Sequence, residues 1–133
     1  MSSDVVTGFG LQFTNDNKFC YAYTGERPTS SSKTTFLDFT TNSEYIVATI
    51  QPIYFSQGTN NIAYQIDFNG QIVQYAEVTS SRDYTPFQDI QLIIPPFTRV
   101  EIKLDNLSGG SETAGVALTG KVGMPQRVGN LDD

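Results

Sequence analysis

The sequence predicts an all-β protein folded as one antiparallel sandwich, and three observations carry that prediction. The first is composition: nine Phe and seven Tyr, no Trp and 17% charged residues, with Thr and Ser common, favour strands over helices. The second is an absence of helical pattern, since no stretch of about 12 residues repeats apolar side chains at the 3.6-residue period. The third is a hairpin. Residues 61–79 read NIAYQIDFNGQIVQYAEVT, with Asn69-Gly70 supplying the two positive-φ residues of a type I′ turn between alternating β-type runs.

A two-residue turn at Asn69-Gly70 predicts the register on both sides. Phe68 faces Gln71, Ile66 faces Val73, Tyr64 faces Tyr75 and Ile62 faces Glu77. Ile62, Tyr64, Ile66, Phe68, Val73 and Tyr75 then share the apolar face. Ala63, Gln65, Asp67, Gln74 and Ala76 share the other, with Ile72 the exception.

The remaining elements follow from turn signals along the chain. Residues 1–17 form an N-terminal arm or edge strand, apolar at Val5, Val6, Phe9, Leu11 and Phe13, closing on the turn Asn15-Asp16-Asn17. Residues 18–123 form the domain proper and 124–133 a polar tail. Within the domain, strands are expected at Lys18–Thr24, Thr35–Thr40, Glu44–Tyr54, the two arms of the hairpin, Phe87–Ile94, Phe97–Asp105 and Thr113–Val122. Pro52 lacks an N–H, so it marks an edge position, a bulge or a strand end.

That makes eight principal strands. The one tight hairpin signal joins the fourth and fifth, and looser loops join the rest. In an eight-stranded jelly roll most connections cross between the sheets, and the fourth and fifth strands are the neighbours suited to a tight turn. The expected fold is therefore an eight-stranded antiparallel β-sandwich of jelly-roll type with an N-terminal arm. An immunoglobulin-like sandwich is the alternative, but its Cys…Trp…Cys core is missing.

Composition also narrows function. The net charge is −6 with eight scattered Lys and Arg, so no basic patch for nucleic-acid phosphates is expected. Cys20 is the one cysteine, so no intrachain disulfide can form. The opening MSSDVVTGFG has neither the basic nor the apolar region of a signal peptide, and no apolar run reaches the roughly 18 residues of a membrane span. A soluble protein made in a cytoplasm, with no membrane partner, is expected.

Without histidine, Ser-His-Asp and Cys-His catalysis and the usual zinc and iron sites are not available. Cys20, mid-strand between aromatics, reads as a buried inert thiol. Asp67, Glu77, Asp89 and Glu101 are the carboxylates available for a glycosidase-like pair, and their pattern places them on solvated outer faces. Asn15-Asp16-Asn17 and Asp105-Asn106 are oxygen-rich loops that turn formation explains better than calcium binding. The sequon Asn106-Leu107-Ser108 reads as chance. The seven tyrosines could stack on sugars or fill an interface from an exposed sheet face, and burial of their rings in the core is the favoured expectation. No catalytic residue, metal or cofactor is expected.

Several stretches taken together resemble a known family. FCYAYTG, FLDFTT, IDFNGQIV, IIPPFTRVEIKLDN and ALTGKV, spanning Lys18 to Val122, are similar to the small single jelly-roll structural proteins of viruses. These are minor capsid, cement or decoration proteins of tailed bacteriophages and related viruses. Pro95-Pro96-Phe97-Thr98 before a charged alternating strand is the most distinctive piece. The resemblance implies a homo-oligomeric virion component, a trimer before a pentamer, that binds the major capsid protein at the capsid surface. Val5, Val6, Phe9, Leu11 and Phe13 are the expected interface residues. A ligand-binding jelly roll (a carbohydrate- or receptor-binding module, a fibre tip) and a penton-type vertex protein are the alternatives.

Overall fold

The computed structural model describes residues 11–16, 18–29, 32–54, 61–79, 89–107 and 113–123. The expected arm residues Val5, Val6 and Phe9, the tail from Met124 and the start of the expected Phe87–Ile94 strand lie outside the described residues. The described residues form ten strands: β1 (Gln12–Phe13), β2 (Phe19–Tyr23), β3 (Arg27–Pro28), β4 (Thr34–Thr40), β5 (Tyr45–Tyr54), β6 (Asn61–Phe68), β7 (Gln71–Thr79), β8 (Ile90–Ile94), β9 (Arg99–Asn106) and β10 (Thr113–Gly123). Eight are the expected ones, and the additional two, β1 and β3, are two residues each.

They form two antiparallel sheets packed as a sandwich. Sheet one runs β1-β2-β10-β5-β8 with β3 also on β10, and sheet two runs β4-β9-β6-β7. Following the eight long strands, the chain changes sheet at every connection except β6–β7. That is the jelly-roll connectivity, and the exception is the Asn69-Gly70 hairpin. Asn69 and Gly70 have φ of 53° and 83° there, as a type I′ turn requires. The turn is also tied to the neighbouring strand: the Asn69 N–H donates to Arg99 O at 2.8 Å, and the Arg99 N–H donates to Asn69 Oδ1 at 2.9 Å.

The core is the alternate set from each strand: Ile46, Ala48 and Ile50 from β5, Val116 and Leu118 from β10, Ile62, Tyr64 and Ile66 from β6, and Val100, Ile102 and Leu104 from β9. Across sheet two Ile66 pairs with Ile102, which pairs in turn with Leu37, so apolar side chains run in rows on the inner face. In β4 a register shift between Thr35 and Leu37 lets the adjacent Phe36 and Leu37 both be buried.

A second bulge corrects the hairpin register. Phe68 pairs with Gln71 and Asp67 with Ile72, but Ile66 then pairs with Gln74, so Val73 is an extra residue in β7. Beyond it the phase of β7 is reversed from the expectation: Tyr64 faces Ala76 rather than Tyr75, and Ile62 faces Val78 rather than Glu77. Ala76 packs against the core, while Val73 and Tyr75 are exposed. The one-residue insertion is the physical reason, since it moves every later side chain to the other face.

Pro52 is accommodated within β5, opposite Val116. Val116 directs its N–H to Thr24 Oγ1 and its C=O to the Thr24 N–H, both on the β2 side. Pro52 therefore meets Val116 without ladder bonds and turns its nitrogen away from β10, two residues beyond the Ile50–Ile90 pair of β5 and β8.

Candidate functional site

The most unusual surface is the outer face of sheet one. In β2 the alternation Phe19-Cys20-Tyr21-Ala22-Tyr23 puts Cys20 and Ala22 inside and the three aromatics outside. The inner face has little room there: a Cβ on Gly120, opposite Cys20, would stand 3.0 Å from Cys20 Sγ and 2.5 Å from Ile46 Cγ2. Only small side chains fit, so the large ones face solvent. Tyr23 is 59% exposed, and Phe19 and Tyr21 are about half exposed. This corrects the expectation that tyrosine rings fill the core. Tyr64 does so, whereas Tyr21, Tyr23 and Tyr75 do not. Tyr84 lies outside the described residues.

Pairing extends the aromatic column into a face. Phe19 stands opposite Lys121, Lys121 opposite Val47, and Val47 opposite Ile93, which is 64% exposed. The next row is Tyr21, Thr119, Thr49 and Gln91. Between Phe19 and Val47 the short residues Thr49, Thr119 and Gly120 leave an open trough of about 250 Å³. Burial elsewhere in the chain leaves this apolar patch in water, which is the mark of a contact surface.

The outer face of sheet two differs. Gln65 and Asp67 are buried there, Asp67 only 4% exposed, not solvated as their alternation predicts. They are held in a relay: Lys33 Nζ donates to Gln65 Oε1 at 2.6 Å, Gln65 Nε2 to Asp67 Oδ1 at 2.8 Å, and Lys103 Nζ to Asp67 Oδ2 at 3.1 Å. Beside it Arg99 makes a bidentate pair with Asp38 at 3.1 and 2.8 Å and approaches Glu101 at 3.5 Å. The Arg99 guanidinium holds the Asp38 carboxyl below the usual carboxylate range. On the rim strand β7 the bulge exposes Ile72 and Val73 side by side, followed by Tyr75, whose hydroxyl donates to Glu77 at 3.2 Å.

Of the four candidate acids, the fold brings Asp67 and Glu101 opposite one another on β6 and β9. Each is engaged by a cation, Lys103 or Arg99, so the pair is part of a charge-compensated row. Glu77 serves Tyr75, and Asp89 is exposed at the start of β8. Cys20 is buried, and burial pushes its thiol up to about 11.

Asp16 accepts hydrogen bonds from the Thr14 hydroxyl at 2.7 Å and the Lys18 N–H at 3.1 Å, which together lower its pKa and account for it as a turn residue. Asp105, expected at the outward-facing end of a strand, and Asn106, expected in the loop after it, both belong to β9 and are buried. Among the described residues no group of three His, Cys, Asp or Glu side chains is placed to hold a metal ion. No described helix is long and apolar enough to cross a membrane. Of the expected interface residues, Leu11 is 2% exposed and Phe13 packs against the core within the single chain.

One further feature carries strain. In the turn Pro95-Pro96-Phe97-Thr98, Phe97 has φ of 55°, a left-handed conformation rare for a bulky side chain, and its ring is 71% exposed. The turn is locked by hydrogen bonds from the Phe97 N–H to Asn42 O and from the Thr98 N–H to Thr41 Oγ1, both at 2.9 Å, and from the Thr41 hydroxyl to Pro95 O at 2.7 Å.

No protein-family model and no curated protein matches the chain. The chain is similar to several solved structures. A protein of the Bacillus endospore appendages, a family of disulfide-linked pili, superposes with a TM-score of 0.55 at 8% identity, covering 81% of this chain and 90% of that one. The VP2 subviral particle of infectious bursal disease virus gives 0.45 at 15% identity over 86% of this chain, which spans 34% of the VP2 chain. A family 35 carbohydrate-binding module from Clostridium thermocellum gives 0.35 at 18% identity, covering 85% and 79% of the two chains. At 8% identity the likeness to the appendage protein is one of fold alone.

Proposed function

We propose that this protein is a non-catalytic structural component of a virion, a cement or decoration (minor capsid) subunit that self-associates and binds the major capsid protein lattice at the capsid surface. The observation that carries the reading is the apolar outer face of sheet one, Phe19, Tyr21, Tyr23, Val47 and Ile93, which a lone subunit leaves in water. The resemblance of five segments to viral jelly-roll proteins directs that contact surface to a virion. In this reading the sheet-one face joins copies of the chain, a trimer before a pentamer, in the host cytoplasm or on the shell. Phe97 supports a separate contact with the lattice: its strained, solvent-facing ring adds little to the core and is free to meet a partner.

Co-sedimentation with empty shells of the major capsid protein tests this, with light scattering coupled to gel filtration for self-association. Wild type is expected to be oligomeric at micromolar concentration and to pellet with shells. The Tyr21→Ser/Ile93→Ser variant is expected to elute as a monomer with an unchanged circular dichroism spectrum. A wild-type protein that is monomeric and stays in the supernatant overturns the reading.

A second reading has one observation in its favour. The trough bordered by Phe19, with Tyr21 beside it and hydroxyl-bearing Thr49 and Thr119 on its floor, suits the stacking of a sugar ring. A glycan array with a single Tyr21→Ser variant distinguishes it, since saturable binding lost with that ring assigns the face to a carbohydrate.

A further inference from the structure

We propose that the partner of the sheet-one face is the β7 rim of a second copy of the chain, so that subunits join head to tail into a ring and not as a two-fold dimer. This rests on the self-association reading above and specifies the surface that reading leaves open.

Apart from Phe97 and Leu107, the large apolar side chains exposed among the described residues fall on two surfaces, one on each sheet. One is the sheet-one face, with Lys121 standing between Phe19 and Val47 in its outer row. The other is the rim of sheet two, where the β7 bulge places Ile72 and Val73 in water beside Tyr75, with Glu77 at its end. They match in shape. The rim strip from Ile72 to Glu77 is a single-strand ridge roughly 17 Å long at the usual rise per residue. The face it would enter has an open trough between Phe19 and Val47 and is crossed by four strands, roughly 14 Å at the usual spacing.

Charge selects between the possible pairings. Face against face about a two-fold axis brings two Lys121 side chains into one contact, and rim against rim brings two Glu77 side chains into one. Face against rim brings the opposite charges of Lys121 and Glu77 into one contact, in a region where desolvation, then Glu77 and Asp105, raise the Tyr75 pKa. A contact between two different patches is heterologous. It leaves one free face and one free rim on every dimer, and these are satisfied only when a ring closes or a filament grows.

The rim also explains itself better with a partner. An edge strand normally presents charge or is covered. Here the bulge that twists β7 exposes two consecutive β-branched residues in place of the Gln74 and Ala76 face, which is turned inward.

Complementation of two crippled variants tests the proposal. The face variant is Tyr21→Ser/Ile93→Ser and the rim variant is Ile72→Ser/Val73→Ser. All four side chains are exposed, and each variant is expected to keep the wild-type circular dichroism spectrum. Each alone is expected to be monomeric at concentrations where wild type is oligomeric, its association weakened at least about tenfold. Mixed in equal amounts they are expected to form a heterodimer and nothing larger, since one intact face meets one intact rim. If wild type assembles and the rim variant assembles just as well, head-to-tail pairing is overturned while self-association stands. If both variants are monomeric and the mixture stays monomeric, the pairing of these two patches is overturned. If wild type is itself monomeric, this inference falls together with the reading beneath it.

Discussion

The strain at Phe97 can be isolated by replacing that residue with Ala and, separately, with Gly. Both substitutions remove the exposed ring, so what the ring contributes cancels between them. What remains is a Cβ at φ of 55°. A left-handed conformation costs an L-residue roughly 1–2 kcal/mol, and Gly escapes that cost. Gly is ordinarily worse than Ala by roughly 0.5–1 kcal/mol because its unfolded chain is freer. At the midpoints of these ranges the Gly variant is more stable than the Ala variant by about 0.75 kcal/mol, the reverse of the usual order in a sheet protein. The bonds that hold the turn, from the Phe97 N–H to Asn42 O and from the Thr98 N–H to Thr41 Oγ1, use no Phe97 side-chain atom and persist in both. For a domain of this size the gap corresponds to about 2–5 °C in Tm. Urea denaturation at equal m-values with parallel thermal melts measures it, and an Ala variant as stable as the Gly variant refutes the strained turn. Both variants are expected to lose shell binding alike, so the stability order and the loss of contact separate strain from function.

Three further outcomes follow from positions in the fold. Gly70→Val places a β-branched residue at φ of 83° with open space around its Cβ, so backbone strain alone is expected to cost about 1–3 kcal/mol in urea unfolding, and Gly70→Asn to recover most of it. Gly120→Ala puts a methyl 2.5 Å from Ile46 Cγ2. It is expected to destabilise by about 1–3 kcal/mol, and adding Ile46→Ala to give less than the sum of the two single losses. Asp105 is buried with Oδ1 lacking a hydrogen-bond partner, and desolvation raises its pKa, opposed by nearby Lys33 and assisted by Glu77. The native state therefore holds this proton more tightly than the unfolded chain, so the stability it contributes is present below the unfolded value of about 3.9 and lost as pH rises through the raised native one. Asp105→Asn is expected to raise the urea midpoint at pH 7 and to leave it unchanged near pH 3, and equal gains at both values would count against a strained carboxylate.

What the sequence by itself determined is the class, the eight long strands and the jelly-roll path. Strand periodicity and the Asn69-Gly70 dipeptide are local properties, legible without neighbours. A two-residue turn placed between the fourth and fifth strands leaves few ways for the others to connect. Tertiary structure alone decided which way the faces point and where their phase slips. Alternation in Phe19-Cys20-Tyr21-Ala22-Tyr23 shows that two sets of side chains part company, but not which set is inside. Gly120 and Ile46, distant in sequence, leave room only for a small side chain at Cys20, and the alternation then turns the aromatics outward. The pairing of Cys and Ala against three aromatics was the available signal, since small apolar residues are the ones that fit where two backbones approach. The extra residue at Val73 is likewise invisible in a pattern that stays apolar on both sides of the slip. It exchanged Tyr75 for Ala76 on the inner face. Asp67 and Gln65 read as solvated because their alternation is polar, and they are buried because Lys103 and Lys33 reach across from other strands and loops to compensate them. Each of these outcomes depends on contacts between residues far apart in the chain, which a local pattern does not encode.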